Sequence, residues 1–147
     1  MSSDGDVPRR IVVGVDGSVA SVQALRWALG YARAAGAAVE AVIAWDIPSS
    51  MGYGPTVIEG VDIATAAREA LAAIVEGNSA EYPGVAVTQR ALRGHPADVL
   101  IDEAEGADLL VVGSHGYGGF ARALLGSVSQ HCISHADCPV VVVRGNR

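Results

Sequence analysis

Short apolar runs alternate along this chain with longer stretches in which apolar residues recur at helical spacing. Runs of four to eight apolar, mainly β-branched residues are typical of strands buried on both faces of a sheet. The stretches between them place Val22, Leu25 and Leu29, for example, on one side of a helix. The pattern predicts strands at residues 10–16, 38–45, 85–88, 109–112 and 139–144, and helices at 18–36, 62–80, from 94–96 onward and at 127–136.

Strict alternation of strands and helices predicts an α/β fold. Right-handed crossovers between parallel strands place helices on both faces, so we expect one open, Rossmann-like, five-stranded parallel sheet. Ligands of such sheets bind beyond the carboxyl ends of the strands where the strand order reverses. The loops after the first and fourth predicted strands are therefore the places where a site is expected.

The bulk composition fits one domain of ordinary size. We expect a loose leader at residues 1–8 and a single domain at 9–145 of the 147 residues. A net charge of −6 argues against a nucleic-acid partner, and the sequence has no uninterrupted apolar stretch of the roughly 18 residues that suggests a membrane helix. The N-terminus does not read as a secretory signal, and Cys132 and Cys138 do not form a disulfide framework, so a cytoplasmic protein is expected.

All ten basic residues are arginines, which excludes several kinds of chemistry. Without lysine there is neither a P-loop lysine nor a Schiff-base lysine. No nucleophile, base and orienting group form a recognisable set, and His95 is interpreted as a helix-start residue, so no catalytic residue is predicted.

A glycine-rich loop follows the fourth predicted strand. It reads Gly113, Ser114, His115, Gly116, Tyr117, Gly118 and Gly119. Glycines allow positive φ and bring backbone N–H groups close to an anion. Gly126 precedes Ser127, Val128, Ser129 and Gln130, which have the form of a capping box with Ser127 as the N-cap. The start of that helix would then add further amides to an anion site.

The spacing of these glycines makes the chain similar to a known family. Gly113, two residues, Gly116, nine residues and then Gly126-Ser127 follow the G-x2-G-x9-G-[ST] pattern of the ATP-binding universal stress proteins. Residues 11–18, 111–129 and 138–144 also resemble that family, so the likeness covers nearly the whole chain.

The resemblance implies a regulatory ATP-binding protein with the adenine nucleotide alpha hydrolase-like fold. It implies that Gly14 and Asp16 contact adenosine, that Ala44 lines the adenine pocket, and that residues 113–119 and 126–129 hold ribose and phosphates. Mg²⁺ would arrive with the nucleotide, and residues 140–143 would pair across a homodimer. Asp16 could instead only shape its turn, and His115 and Arg122 could be solvated loop residues.

Several alternatives remain beside this interpretation. A weak ATPase or a protein that binds AMP or cyclic AMP would use the same loop. Residues 116–121 satisfy a dinucleotide fingerprint, but they follow the fourth strand and lack the acidic partner, so NAD is disfavoured. His131, Cys132, His135 and Cys138 could suggest zinc, but ordinary helix packing explains them better, and no metal site is predicted.

Overall fold

The computed structural model describes residues 9–47, 56–116 and 125–145, with the backbone alone described for residues 56–61. Strands and helices alternate through the described residues as the apolar pattern predicts. In chain order they are β1 (Arg9–Gly14), α1 (Val19–Ala35), β2 (Ala37–Trp45), α2 (Thr56–Ser79), β3 (Val87–Arg93), α3 (Pro96–Glu103), β4 (Leu109–Gly113), α4 (Ser127–His135) and β5 (Val140–Val143).

The five strands form one parallel sheet in the order β3-β2-β1-β4-β5. The chain moves outward from β1 to β3 and then returns to the other side of β1 to form β4. The strand order therefore reverses between β1 and β4, which opens a crevice at their carboxyl ends. The predicted fold class, an open parallel five-stranded sheet, is confirmed.

Each face of the sheet carries its own apolar core. Leu25 of α1 and Leu71 of α2 are buried with Val13 on one face, whereas Leu100 of α3 and Cys132 of α4 are buried with Val12 on the other. Val12 and Val13 are neighbours in β1, and successive side chains of a strand point to opposite faces. The uninterrupted apolar runs in the sequence therefore reflect burial on both faces.

Helix α1 begins and ends where the sequence predicts. Ser18 is its N-cap and accepts a hydrogen bond from the backbone amide of Ser21 at 3.2 Å. Gly36 ends the helix in the left-handed region at φ 71°, where a residue without Cβ is favoured. This helix starts directly beneath the crevice, so its cap also fixes one wall of the site.

Two predicted boundaries are wrong. β3 is predicted at residues 85–88 but spans Val87–Arg93. It is an edge strand with exposed polar residues, so it does not form the apolar run that identifies the other strands. α2 begins at Thr56 rather than at the predicted residue 62, since Gly60 does not stop the helix. Although α2 has 24 residues, no helix in the described ranges is both long and apolar enough to cross a membrane.

Candidate functional site

A cleft with a volume of about 240 Å³ lies over the carboxyl ends of β1 and β4. It is located where the strand order reverses, as expected for this class of sheet. Of the predicted site residues, the following line it: Gly14, Asp16, Ala44, Gly113, Ser114, His115, Gly116, Gly126, Ser127, Val128 and Ser129. Tyr117, Gly118, Gly119 and Arg122 lie outside the described residues.

Asp16 forms the edge of the cleft beyond β1. Its Oδ1 atom accepts hydrogen bonds from the backbone amide of Ser18 at 2.9 Å and from the Ser18 hydroxyl at 2.5 Å. The backbone amide of Asp16 donates to Oγ of Ser21 at 3.1 Å. These bonds fix the carboxylate against the start of α1, while its Oδ2 atom is directed towards Gly116, 2.5 Å from the position that a Cβ would occupy there.

Ser114 joins β4, β5 and the start of α4. Its backbone amide donates to the carbonyl of Val143 at 2.8 Å, and its carbonyl accepts from the backbone amide of Gly126 at 2.6 Å. The buried Oγ of Ser129 donates to the same carbonyl at 3.2 Å. Residues 113–116 and the beginning of α4 therefore face one common cleft, although about ten residues separate them in sequence.

The predicted capping box at the start of α4 is wrong. Gly126 is the N-cap, Ser127 is the first helical residue, and no side chain among the described residues caps this end. The side chain of Gln130 instead donates to the carbonyl of Leu125 at 3.1 Å. A Cβ on Gly126 would lie 3.3 Å from the carbonyl oxygen of Ser114, so the close approach of the two segments favours glycine at the cap. The Ser127 hydroxyl is consequently not used for capping.

The glycines at the cleft serve close packing rather than unusual backbone angles. The prediction that the glycines of the loop supply positive φ is wrong for Gly113 and Gly116, and Gly126 also lies outside the left-handed region. A Cβ on Gly113 would lie 2.7 Å from the carbonyl carbon of Ala20. A Cβ on Gly14 would lie 2.7 Å from Cδ1 of Leu100, so two strand ends rely on glycine to let helices approach.

The first amides of α4 give the cleft an anion-binding character. The amides of the first helical turn have no carbonyl four residues earlier within the helix, and the helix dipole adds partial positive charge. Among the described lining residues, the ionisable side chains are Asp16 and His115. Nδ1 of His115 lies 3.2 Å from Oγ of Ser114. The groups that the described part of the cleft offers to an anion are therefore backbone amides and hydroxyls rather than an arginine.

Sequence reasoning did not predict part of the cleft wall. Pro96 and Leu100 of α3 line it, together with Val15, Ser18, Ser21, Val42 and Val112. Val42 lies two residues before Ala44 on the same face of β2, so the alternation of a strand could have indicated it. Nothing in the sequence indicates that α3 crosses to this edge of the sheet.

His131 and His135 lie outside the cleft, on the helix that begins at its edge. Their imidazole rings stack with centroids 4.3 Å apart, and Nε2 of His131 is 3.9 Å from a carboxylate oxygen of Asp98. Cys132 is fully buried in the core. Within the part of the chain that the structure describes, no three potential ligands are arranged to hold a metal ion.

The reversed strand order, the cleft above it and the glycine-lined approach of α4 define an open doubly wound α/β domain with its site at the switch point. The model of the universal stress protein family matches residues 8–144. A universal stress protein of Mycolicibacterium smegmatis is 41% identical over 135 residues, which cover 91% of this chain and 45% of that protein. This chain belongs to the universal stress protein family. It spans 43 to 45% of the length of the curated relatives it matches.

Solved structures of the family share the same fold. The universal stress protein UspA from Lactobacillus plantarum is 25% identical, with a TM-score of 0.77 over 92% of this chain and 97% of that one. A universal stress protein in complex with cAMP is 27% identical, with a TM-score of 0.71 over 94% and 98%. One from Archaeoglobus fulgidus in complex with dAMP is 25% identical, with a TM-score of 0.59 over 92% and 97%.

Proposed function

We propose that this chain is a regulatory ATP-binding protein whose nucleotide occupies the cleft above β1 and β4. The observation that carries the proposal is the hydrogen bond from the amide of Gly126 to the carbonyl of Ser114, at 2.6 Å. This bond holds the glycine-rich loop and the start of α4 at one cleft, where both can contact one polyphosphate. Backbone amides then take the role that lysine has in a P-loop.

The lining residues suggest how the nucleotide is oriented. Val42, Ala44 and Leu100 make one part of the wall apolar, and we assign the adenine ring to that part. We assign the ribose to the neighbourhood of Gly14 and Asp16. The phosphates are assigned to residues 113–119 and 126–129, with Mg²⁺ accompanying them because ATP normally carries it.

A regulatory role is favoured over catalysis because the glycine-rich loop and the start of α4 offer the nucleotide backbone amides, which bind phosphates without accepting a proton. The nucleotide would act by changing the shape or the partners of the protein. Binding of cyclic AMP or AMP is the second candidate, supported by the relatives crystallised with cAMP and dAMP. Slow ATP hydrolysis is a third, which release of phosphate would reveal.

Calorimetric titration with ATP and Mg²⁺ tests the proposal, with cyclic AMP and AMP as competitors. The informative variant is Gly116→Ala, because the new Cβ would lie 2.5 Å from Oδ2 of Asp16 and displace that carboxylate. Loss of one charge-assisted hydrogen bond weakens affinity by about tenfold or more. Gly77→Ala is the matched control, since no atom of the described residues lies within 4 Å of a Cβ there. Absence of ATP binding by the wild-type protein would overturn the proposal.

We further propose that the protein is a cytoplasmic homodimer that pairs through β5 and that residues 9–145 form its domain. β5 is an edge strand of four valines, and such an edge exposes unpaired backbone groups unless another strand covers it. Free thiols at Cys132 and Cys138 are compatible with a reducing compartment. Sedimentation at micromolar concentration should give twice the monomer mass, and a monomer would count against the dimer.

A further inference from the structure

A buried glutamate interrupts the apolar face of β2. Glu40 shares that face with Val42 and Ala44, and its side chain is only 10% exposed. Its Oε1 atom accepts a hydrogen bond from Nη1 of Arg10 at 3.0 Å, but its Oε2 atom is buried without a hydrogen-bond partner among the described residues. A buried carboxylate oxygen without a donor costs free energy, so a proton donor is expected beside it.

Glu103, at the end of α3, supplies that donor when it is protonated. A hydrogen bond with Glu40, burial and repulsion from the Glu40 charge together raise the pKa of Glu103. Two carboxyl groups in contact cannot both ionise freely, and the neutral partner donates to the charged one. We call Glu40 and Glu103 the carboxyl pair.

The charged groups around the carboxyl pair oppose this protonation without cancelling it. Arg10 of β1 and Arg90 of β3 both favour ionised Glu103, with Nε of Arg90 at 3.6 Å from its Oε2. Asp108, just before β4, accepts a hydrogen bond from the backbone amide of Arg10 at 2.8 Å. Burial raises the pKa of the Cys138 thiol, before β5, and the charge of Arg10 partly opposes that rise.

The carboxyl pair lies at the base of the cleft wall. Arg10 also donates to the carbonyls of Glu103 at 2.9 Å and Glu105 at 2.8 Å, and so ties the end of α3 to β1. Leu100, one turn earlier in α3, lines the cleft and approaches Gly14 closely. A change that weakens the attachment of the end of α3 to β1 should therefore also shift Leu100 and with it this wall of the cleft.

We propose that Glu40 and Glu103 share one proton that holds α3 against the sheet, and that loss of this proton loosens the cleft wall. We call this shared proton the latch. It is inferred from the buried Oε2 atom of Glu40 and from Arg10, whose Nη1 atom donates both to Oε1 of Glu40 and to the carbonyl of Glu103. Only its effect on nucleotide affinity rests on the proposed function. Because folding raises the proton affinity of Glu103, the latch contributes stability fully below the pKa of the unfolded chain. That stability is lost as the pH rises through the higher value in the folded protein.

The test compares wild type, Glu103→Gln and Glu105→Gln by thermal unfolding between pH 4.5 and 8, without nucleotide. A glutamine amide donates to Glu40 at every pH, whereas Glu105 is exposed at the same helix end and controls for the lost charge. As the pH rises from 4.5 to 8, the melting temperature of the wild type should fall relative to that of Glu103→Gln. The expected fall is about 3 °C for each unit by which folding raises the pKa of Glu103. Glu105→Gln should follow the wild type.

Carbon-13 NMR of the Glu103 carboxyl in the wild-type protein gives an independent reading. The proposal expects titration above the ordinary value of about 4.3, and titration at or below it would overturn the latch. The latch would also be overturned if the melting temperatures of Glu103→Gln and Glu105→Gln changed equally with pH. ATP affinity should weaken with rising pH in the Glu105→Gln protein but less in Glu103→Gln. Equal affinity profiles would refute the effect on the cleft, whereas failure to bind ATP at any pH would instead refute the proposed function.

Discussion

The contact between Gly113 and α1 gives the most direct test of how the site is built. Gly113→Ala would place a Cβ 2.7 Å from the carbonyl carbon of Ala20, 2.8 Å from the Cβ of Ala20 and 2.9 Å from the backbone nitrogen of Ser21. Two of these atoms belong to the backbone of α1, which cannot turn aside as a long side chain could. Relief of the clash requires α1 to move away from β4, on which it packs.

Overpacking of this kind costs about 1 to 3 kcal/mol, and the rigid obstacle places Gly113→Ala at about 2 to 3 kcal/mol. Urea denaturation followed by tryptophan fluorescence and circular dichroism measures this loss. For a chain of this size the melting temperature should fall by about 4 to 12 °C. Gly77→Ala, in an open position of α2, should instead be neutral or stabilise by up to about 1 kcal/mol. A Gly113→Ala protein within 0.5 kcal/mol of the wild type would refute the close-approach argument.

Two further comparisons test the anchors of the site. Ser129→Ala removes a buried hydroxyl whose one proton is shared between the carbonyls of Gly126 at 2.9 Å and Ser114 at 3.2 Å, so it should cost about 1 to 2 kcal/mol in urea denaturation. Ser127→Ala should change stability by less than 0.5 kcal/mol, and a loss of about 1 kcal/mol would mean that Ser127 caps α4 after all. Arg10→Leu leaves buried Glu40 unpaired and should lower the free energy of unfolding by about 2 to 3 kcal/mol. This loss is smaller than for a fully buried ion pair because the Arg10 side chain is 36% exposed. An unchanged midpoint of urea denaturation would contradict this prediction.

The sequence predicts those parts of the fold in which the apolar pattern coincides with burial. β1, β2 and β4 are largely apolar and buried, and their runs locate them to within a few residues. The prediction of β3 fails because, in the described sheet, one side of this strand has no neighbouring strand and its exposed Thr88, Gln89 and Arg90 resemble a loop. The same pattern does not reveal that Glu40 is buried. One charged residue leaves the apolar run of β2 intact, and the sequence does not show that α3 covers this face of the strand.

The sequence predicts which residues line the site better than it predicts why those residues are needed there. The spacing of Gly113, Gly116 and Gly126 identifies residues that line one cleft, but the positive φ predicted for the loop is the wrong reason for Gly113 and Gly116. Each of the three glycines permits an approach between segments distant in sequence, and a single sequence does not reveal which segment approaches. The capping prediction fails for the same reason, because the carbonyl of Ser114 favours glycine at the cap of α4.

Asp16 shows how one side chain can serve both hypotheses that the sequence leaves open. Its Oδ1 atom shapes the turn through Ser18, while its Oδ2 atom is directed towards Gly116 in the cleft. A carboxylate at that place repels a phosphate oxygen unless a cation or a hydroxyl group lies between them. The ribose hydroxyls and Mg²⁺ of the proposed ligand can both meet that requirement, whereas a bare polyphosphate cannot. The position of Asp16 therefore favours a nucleoside, or a phosphate that brings its own cation, on this side of the glycine-rich loop.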